Sequence, residues 1–552
     1  MATPFEEGNP DSKLLILGQA PSYMETRHKR PLVGPAGYVF GECMGTANIS
    51  RRECYILNVW EMEVITDDYR GTIHSKRGGE LLWTKKGFTE AGLDAASGAI
   101  SRIVNSGANC ILALGQQAFA LCTGKSDRIL KWRGSILPGD DRINGRKVVG
   151  TIHPSACLRG NYLWRYLIIN DMKRVREERE SPKIVLPERN IILTPSLADI
   201  REYMELCRDH GQFATDLEVI NHQVSCFSLA PSVSEAMVVP LTNEYGDAWT
   251  EEEECEIWEM YNDIMSDPDV EKVNQNLIGF DAPFLLMQNH IHTQGTMRDN
   301  MIAQSVLYPE FNKGLDFQAS VYTREPYFKD EGKMWKNEGG DFPTFWRYNG
   351  KDACVSLECW NVLAQELTQR AFWATYDRHE TMAQVLMYMT IRGLRVDLET
   401  LNETNANIGI EINEKMDRLN EVAEYPFNPT SPKSCQDYFY GAKGLPAYKN
   451  KAGRPTTDDK AMSRIFRKTG LVEAKLVQEI RALKKLKGTY LEVEVDPDNR
   501  LRCSWNPRGT KFGRLSSSKT LMGRGMNLQN LHPKFKRFIV ADEVRPDGFQ
   551  FP

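Results

Sequence analysis

The sequence predicts a multidomain α/β protein whose last third is mainly helical. Three observations carry this. A chain of 552 residues is too long for one hydrophobic core and points to three or four domains. Apolar runs of strand length that end in turn or loop residues lie at 13–18, 54–59 and 108–115, and further strands are expected at 212–219, 224–230 and 236–241. Beyond about residue 380 the apolar residues fall at helical spacing instead.

Residues 13–175 read as alternating strands and helices. A charged stretch with two prolines, 174–190, marks a domain boundary. The next segment is expected to begin with a helix. Thr194 would cap it and Pro195 would take its first position, with Leu197, Ile200, Met204 and Cys207 as the apolar stripe. Three strands with short connections then predict an antiparallel meander. A second boundary falls near 365–380. After it, Met382, Leu386 and Met389 form a stripe that ends at Gly393, a C-cap candidate. Asp397 can cap the following helix, whose apolar face is Leu401, Ile408, Ile412, Met416 and Leu419.

Composition excludes some classes. Hydrophobic content of 41% and charged content of 26% are those of a soluble globular protein. No apolar run reaches membrane-span length and the first residues are polar, so neither a signal peptide nor an anchor is expected. None of the twelve cysteines forms a C-x-x-C pair, which excludes a zinc ribbon and predicts reduced thiols in a cytoplasm. The net charge of −5 hides an uneven distribution. Residues 251–254 are all glutamate, whereas 501–540 hold nine Lys and Arg and no acid. Such a segment is either a polyanion site or a solvated face.

Chemistry concentrates in three acidic motifs. Asp216 and Glu218 stand two apart in a predicted strand, so their carboxylates share one face. Such a pair is costly unless a cation lies between them, and oxygen-only ligands suit Mg²⁺ or Mn²⁺. Asn276 opens an N-x-x-x-F-D motif that closes on Asp281. Tyr348 and Asp352, four apart, share a face if their segment is helical. The order of the three motifs resembles the DEDD-type 3′–5′ proofreading exonuclease of family A DNA polymerases, a ribonuclease H-like domain, over about residues 190–365. The resemblance implies that Asp216, Glu218, Asp281 and Asp352 hold two Mg²⁺ ions, with Mn²⁺ an alternative. It further implies that Tyr348 orients the attacking water, that Asn276 contacts DNA, and that nucleotides leave from single-stranded 3′ ends.

Residues 366–552 resemble the opening of a family A polymerase module, from thumb into palm. The resemblance is carried by Gly393-Leu-Arg-Val-Asp397, by Phe427-Asn428-Pro-Thr-Ser431, by Lys485-Leu-Lys487-Gly-Thr489-Tyr490 and above all by Phe512-Gly513-Arg514-Leu515-Ser516-Ser517-Ser518 with Asn527-Leu528-Gln529-Asn530. The acid-free basic segment coincides with the last of these. Arg508, Lys511, Arg514, Ser516, Asn527, Gln529 and Arg537 are therefore expected to bind primer–template, the basic ones through phosphates. In the family the catalytic palm aspartates follow this stretch. The tail at 545–552 shows none of them, so this chain by itself is not expected to polymerise, and a second chain carrying the rest is one expected partner.

Gly18-Gln19-Ala20-Pro21-Ser22, Asn58 and Thr151-Ile152-His153-Pro154-Ser155, in that order, resemble the uracil-DNA glycosylase superfamily over about residues 10–175. The resemblance implies an α/β/α domain with a base-flipping pocket formed by Gln19, Asn58 and His153. Ala20 stands where some members carry the water-activating aspartate, and Leu32 stands where a stacking phenylalanine is expected. No cysteine precedes Cys43, so the iron–sulfur ligands of one branch have no counterpart. Two readings stay open for this domain: uracil excision, or a fold kept for DNA binding. The expected division is 1–185 glycosylase-like, 186–365 exonuclease and 366–552 incomplete polymerase. This order resembles the replicative polymerases of large Bacillus-type phages, which would place the protein in the host cytoplasm. A uracil-excising repair enzyme and a DNA-binding subunit that completes a split polymerase are the alternatives.

Overall fold

A computed structural model describes residues 5–542 apart from 68–70, 77–78, 333–334, 336–338 and 521–522. The tail at 545–552 lies outside the described residues. The chain divides into two compact units, Met1–Leu277 with Gln288–Glu380, and Ile278–Met287 with Thr381–Pro552.

The first unit contains two six-stranded sheets. In the first, Cys54–Asn58, Leu14–Gly18, Cys110–Leu114 and Lys147–Thr151 lie parallel in that order. Glu6–Glu7 and Ile136–Pro138 pair antiparallel at its two edges. The central strands read as unbroken apolar runs because both faces are covered. Leu14 and Ile16 enter one core beside Phe40, Ile168 and Met172, while Leu15 and Leu17 enter the other beside Trp60, Phe119 and Leu121.

The second sheet orders Asn190–Ile192, Glu235–Pro240, Gln223–Ser232, Gln212–Ile220, Glu271–Asn274 and Met297–Asp299. Its middle three strands form the expected antiparallel meander, and parallel strands flank it on both sides. One expectation needs correction: the segment begins with the strand Asn190–Ile192, and the helix Leu197–His210 follows. Its cap is Ser196 rather than Thr194, in a reciprocal capping box with Asp199. Ser196 prevails because Asp199 lies three residues on and returns the bond to its backbone N–H.

The helix Phe342–Gln369 crosses the opposite face of this sheet. It approaches closely at Gly350, where a Cβ would lie 2.5 Å from Ile191 Cγ2 and 2.9 Å from Val238 Cγ2. The four glutamates at 251–254 form the first turn of the helix Glu251–Met265, capped by Thr250, where negative charge meets the positive helix end. That acidic run serves a helix terminus.

In the second unit, the helices Leu398–Ala423, Asp459–Thr469 and Val472–Leu486 enclose a core of Leu419, Phe427, Tyr438, Met462, Val477 and Ile480. Asp397 caps the first of them by accepting from Thr400 N, and Gly393 adopts φ +63° after Arg392. No helix among the described residues is long and apolar enough to cross a membrane.

Candidate active site

Asp216 and Glu218 lie on the strand Gln212–Ile220, between Gln223–Ser232 and Glu271–Asn274, and a register shift follows directly at Glu218/Val219. Bulges bend a strand and re-aim its side chains. Thr215, on the other face, bonds Tyr261 at 2.9 Å, so the strand is anchored from behind. In front, the helix Phe342–Gln369 carries both Tyr348 and Asp352. Carboxylate oxygens of Asp216, Glu218 and Asp352 come within 4.8 Å of one another. Asp281 is not in this group; it is buried at the start of the helix Asp281–Gln288.

Three crowded carboxylates repel. Burial, with Asp352 and Glu218 beside it, pushes the Asp216 carboxyl up to about 8. The same burial and charges push Tyr348 far above the usual phenol range, so it stays protonated and acts as a hydrogen-bonding group, not a base. Asp352 Oδ1 is buried and accepts no hydrogen bond among the described residues. An all-oxygen donor set, mutual repulsion and an orphaned buried oxygen together fit a hard divalent cation.

Three side chains outside the sequence expectation complete the site. Asn274 Nδ2 donates to Asp216 Oδ1 at 3.1 Å. Asn349 Nδ2 donates to Asp216 Oδ2 at 2.9 Å and to the Asp216 carbonyl at 3.1 Å. Lys329 Nζ donates to Tyr348 Oη at 2.7 Å and pairs with Asp352. Asn349 was accessible from the sequence, since it adjoins Tyr348 and helical geometry carries it to the sheet. Lys329 carries no local signal. Asn349→Ala should slow hydrolysis at this site about 10- to 100-fold and raise the metal concentration needed for half-maximal rate, because Asp216 loses its fixed orientation. A rate-against-Mn²⁺ titration reads both.

Asn276 adopts φ +66°, a left-handed conformation that asparagine tolerates. Its backbone N–H donates to Asp299 Oδ1, which also receives Met301 N. Asp299 thereby ties this loop to the helix Asn300–Leu307.

In the first sheet's domain, Gln19 follows the strand Leu14–Gly18, Asn58 ends a neighbouring strand, and His153 caps the short helix Pro154–Leu158. Asn58 Oδ1 lies so close to Gly18 that a Cβ there would meet it at 2.3 Å. Ser155 N donates to His153 Nδ1 at 3.2 Å, so a neutral ring carries its proton on Nε2. Burial, helped by Arg159, lowers this imidazole to about 4. Leu32 is buried with φ +49°, its N–H held by Glu25 at 2.5 Å.

In the second unit the basic segment divides into two sets. Lys511, Arg514, Gln529 and Arg537 are exposed, and Lys511 lies over the exposed Phe512 ring at 5.0 Å. Arg508 and Ser516 are half-buried. Asn527 caps a short turn and accepts from Ser517 Oγ at 2.9 Å, and Gln529 donates to Leu515 O at 3.2 Å. Arg502, one of the nine basic residues, is buried against Asp496, Asp498 and the Ile391 carbonyl. Its charge serves the fold.

A mixed sheet that presents converging carboxylates to a tyrosine-bearing helix defines a class of α/β domain with an acidic cluster whose donors fit a metal ion. The comparisons with known proteins narrow that class. Residues 194–368 match the 3′–5′ exonuclease family, 5–173 the uracil DNA glycosylase superfamily, and 398–544 DNA polymerase family A. DNA polymerase I of Bacillus subtilis (strain 168) is 26% identical over 253 residues, covering 44% of this chain and 28% of the relative. The thermostable DNA polymerase I of Thermus aquaticus is 29% identical over 233 residues, covering 40% and 26%. The type-4 uracil-DNA glycosylase of Thermotoga maritima is 28% identical over 173 residues, covering 31% of this chain and 79% of that protein. The chain thus aligns with only about a quarter of the length of the polymerase relatives, 28% for the first. The POL domain of Pol1 from M. smegmatis, solved with primer–template DNA and dNTP, aligns with TM-score 0.50 and 21% identity over 64% of this chain and 59% of its own. That likeness concerns the fold. The chain therefore joins a glycosylase-like, an exonuclease-like and a polymerase-like segment.

Proposed function

We propose that this chain is part of a family A DNA polymerase and that its own chemistry is 3′–5′ proofreading hydrolysis, releasing deoxynucleoside monophosphates from single-stranded 3′ ends. The observation that carries the reading is the convergence of Asp216, Glu218 and Asp352 within 4.8 Å of one another, with Tyr348 on the same helix as Asp352 and in their field. Asp216, Glu218, Asp281 and Asp352 would hold two Mg²⁺ ions, with Mn²⁺ as substitute. Bound there, the ions supply an activated water and stabilisation of the leaving 3′ oxygen. Asn274 and Asn349 fix the Asp216 carboxylate. Tyr348, kept protonated, orients the water by hydrogen bond. Asn276 would meet the strand end.

In the same proposal Arg508, Lys511, Arg514, Ser516, Asn527, Gln529 and Arg537 bind primer–template, residues 1–185, 186–365 and 366–552 are the functional segments, and the source is a large Bacillus-type phage. The test is digestion of a 5′-labelled single strand with Mg²⁺. A ladder that shortens from the 3′ end and vanishes with chelator is expected, and digestion indifferent to chelator would refute the reading.

Uracil excision is a second reading for the first domain, favoured by one observation. His153 is neutral with an Nε2–H, as a donor to a developing oxyanion requires. The imidazole should titrate near 4 by NMR, with its proton on Nε2. Because the folded ring resists protonation, its contribution to stability is full above about pH 6.5. It fades as the pH falls from there towards the folded value, by roughly 1–2 kcal/mol after discounting for partial exposure. A melting-temperature series from pH 7 to pH 4, with His153→Gln as reference, measures this. Release of free uracil by the Asp216→Ala protein would support excision, and its absence would leave the domain a DNA-binding module.

A further inference from the structure

Among the described residues, Lys329 is the one charged group in the acidic cluster to which the hydrolysis proposed above gives no role. Its ammonium donates to Tyr348 Oη at 2.7 Å, pairs with Asp352 Oδ2, and lies 4.8 Å from the Tyr348 ring centroid. It therefore touches one expected metal ligand and the expected water-orienting phenol together. The Lys329 side chain is 21% exposed and that of Asp352 only 4%. The pair is set into the cleft, and solvent screens it little.

The segment that delivers Lys329 is fastened to the glycosylase-like domain on both sides of it. Arg174 donates to the Thr323 carbonyl at 2.6 Å. Arg324 pairs with Glu177 at 2.7 Å and with Glu178. Tyr327 N donates to Ser135 Oγ at 3.1 Å, and the Tyr327 ring packs edge-on against Trp132 at 5.2 Å. Asp330, directly after Lys329, pairs with Lys131 and accepts from Tyr327 Oη at 2.9 Å. Phe328 is buried against Tyr348, with ring centroids 5.9 Å apart. Residues 323–330 thus form a strap with its outer anchors in one domain and its single inward cation in the other.

Resting on the reading of the cluster as a metal site, we propose that Lys329 is a positioning residue that acts as a resident counter-ion. It competes with the divalent cation for Asp352, and the glycosylase-like domain sets its strength by holding the strap. A divalent ion that takes Asp352 through the unbonded Oδ1 must share the carboxylate with the ammonium on Oδ2, against the repulsion of a positive charge a few ångströms away. Removing that charge should tighten cation binding, whereas loss of a merely structural contact would loosen it.

The experiment is an Mn²⁺ titration of the chelator-stripped full chain, followed by electron paramagnetic resonance, with no DNA present. Lys329→Met should bind Mn²⁺ about tenfold or more tighter than the wild type. Lys329→Arg, which keeps the charge, should stay within about twofold of the wild type. Lys131→Ala, in the first domain, should shift affinity in the same direction as Lys329→Met but by less. Lys329→Gln serves as a second neutral variant if the methionine variant does not fold. Unchanged or weaker Mn²⁺ binding by a folded neutral variant, beside a wild type that binds, overturns this inference alone. A wild type that binds Mn²⁺ no better than Asp216→Ala overturns the metal-site reading, and this inference with it.

Discussion

Asp216→Ala should lower hydrolysis of a single strand by on the order of 10³-fold or more, about 4 kcal/mol of transition-state stabilisation, without weakening the fold. The expectation follows from what surrounds the side chain. Asn274 and Asn349 spend their carboxamides on orienting this one carboxylate, and the strand carries it between Glu218 and Asp352. Removing it breaks the centre of the donor set. Yet the crowding that pushes Asp216 up to about 8 is a cost to the folded state whenever no cation offsets it. The substituted protein should therefore melt at the same temperature as the wild type, or higher, in chelator. Adding Mn²⁺ should raise the wild-type melting temperature and leave the variant unmoved. Single-turnover digestion and paired melts with and without Mn²⁺ measure both halves. A variant that loses activity together with cooperative melting would mean that Asp216 is structural.

The sequence made Asp216, Glu218, Tyr348 and Asp352 visible as a group because two local periodicities, i/i+2 on a strand and i/i+4 on a helix, each place a pair on one face. The strands themselves were legible for a related reason. Runs such as Leu14–Gly18 are buried on both faces and so are continuously apolar. What escaped was non-local. Lys329 stands 113 residues from Asp216 in the chain by its number, on an irregular strap whose path is set by ion pairs to another domain. No spacing rule reaches that far. Thr194 was a plausible cap by composition, but the choice between it and Ser196 depended on which one had an acid three residues on. The basic segment shows the limit of charge counting: Arg502 belongs to the run by sequence, yet its guanidinium is consumed by Asp496 and Asp498.

The largest stability effect should come from Arg133→Met. Arg133 and Asp171 form an ion pair with side chains 1% and 0% exposed. Arg133 Nε donates to Asp171 Oδ2 at 3.0 Å, and Thr151 Oγ1 donates to the same oxygen at 2.6 Å. Arg133 Nη1 also donates to Ser320 Oγ at 2.8 Å, which ties the parallel sheet's domain to the helix Leu315–Tyr322. Burying two charges is expensive, so the pair as a whole need not stabilise the fold, but removing one partner strands the other. Methionine fills the space and leaves the Asp171 carboxylate without its main counter-charge. The expected loss is about 3–5 kcal/mol, read as a drop of roughly 6–20 °C in the melting of this unit. Replacing both members, Arg133→Met with Asp171→Leu, should recover most of that loss, because no charge then remains buried. The two outcomes separate a specific pair from a general packing defect: a defect would add in the double variant, whereas a stranded charge cancels. Arg174, whose guanidinium faces the same carboxylate, sets the lower bound. If it turns to Asp171 in the single variant, the loss should shrink to about 1 kcal/mol and the Arg174 bond to the Thr323 carbonyl should be given up. In that case the strap bearing Lys329 would loosen, and Mn²⁺ affinity at the acidic cluster would rise along with the loss of stability.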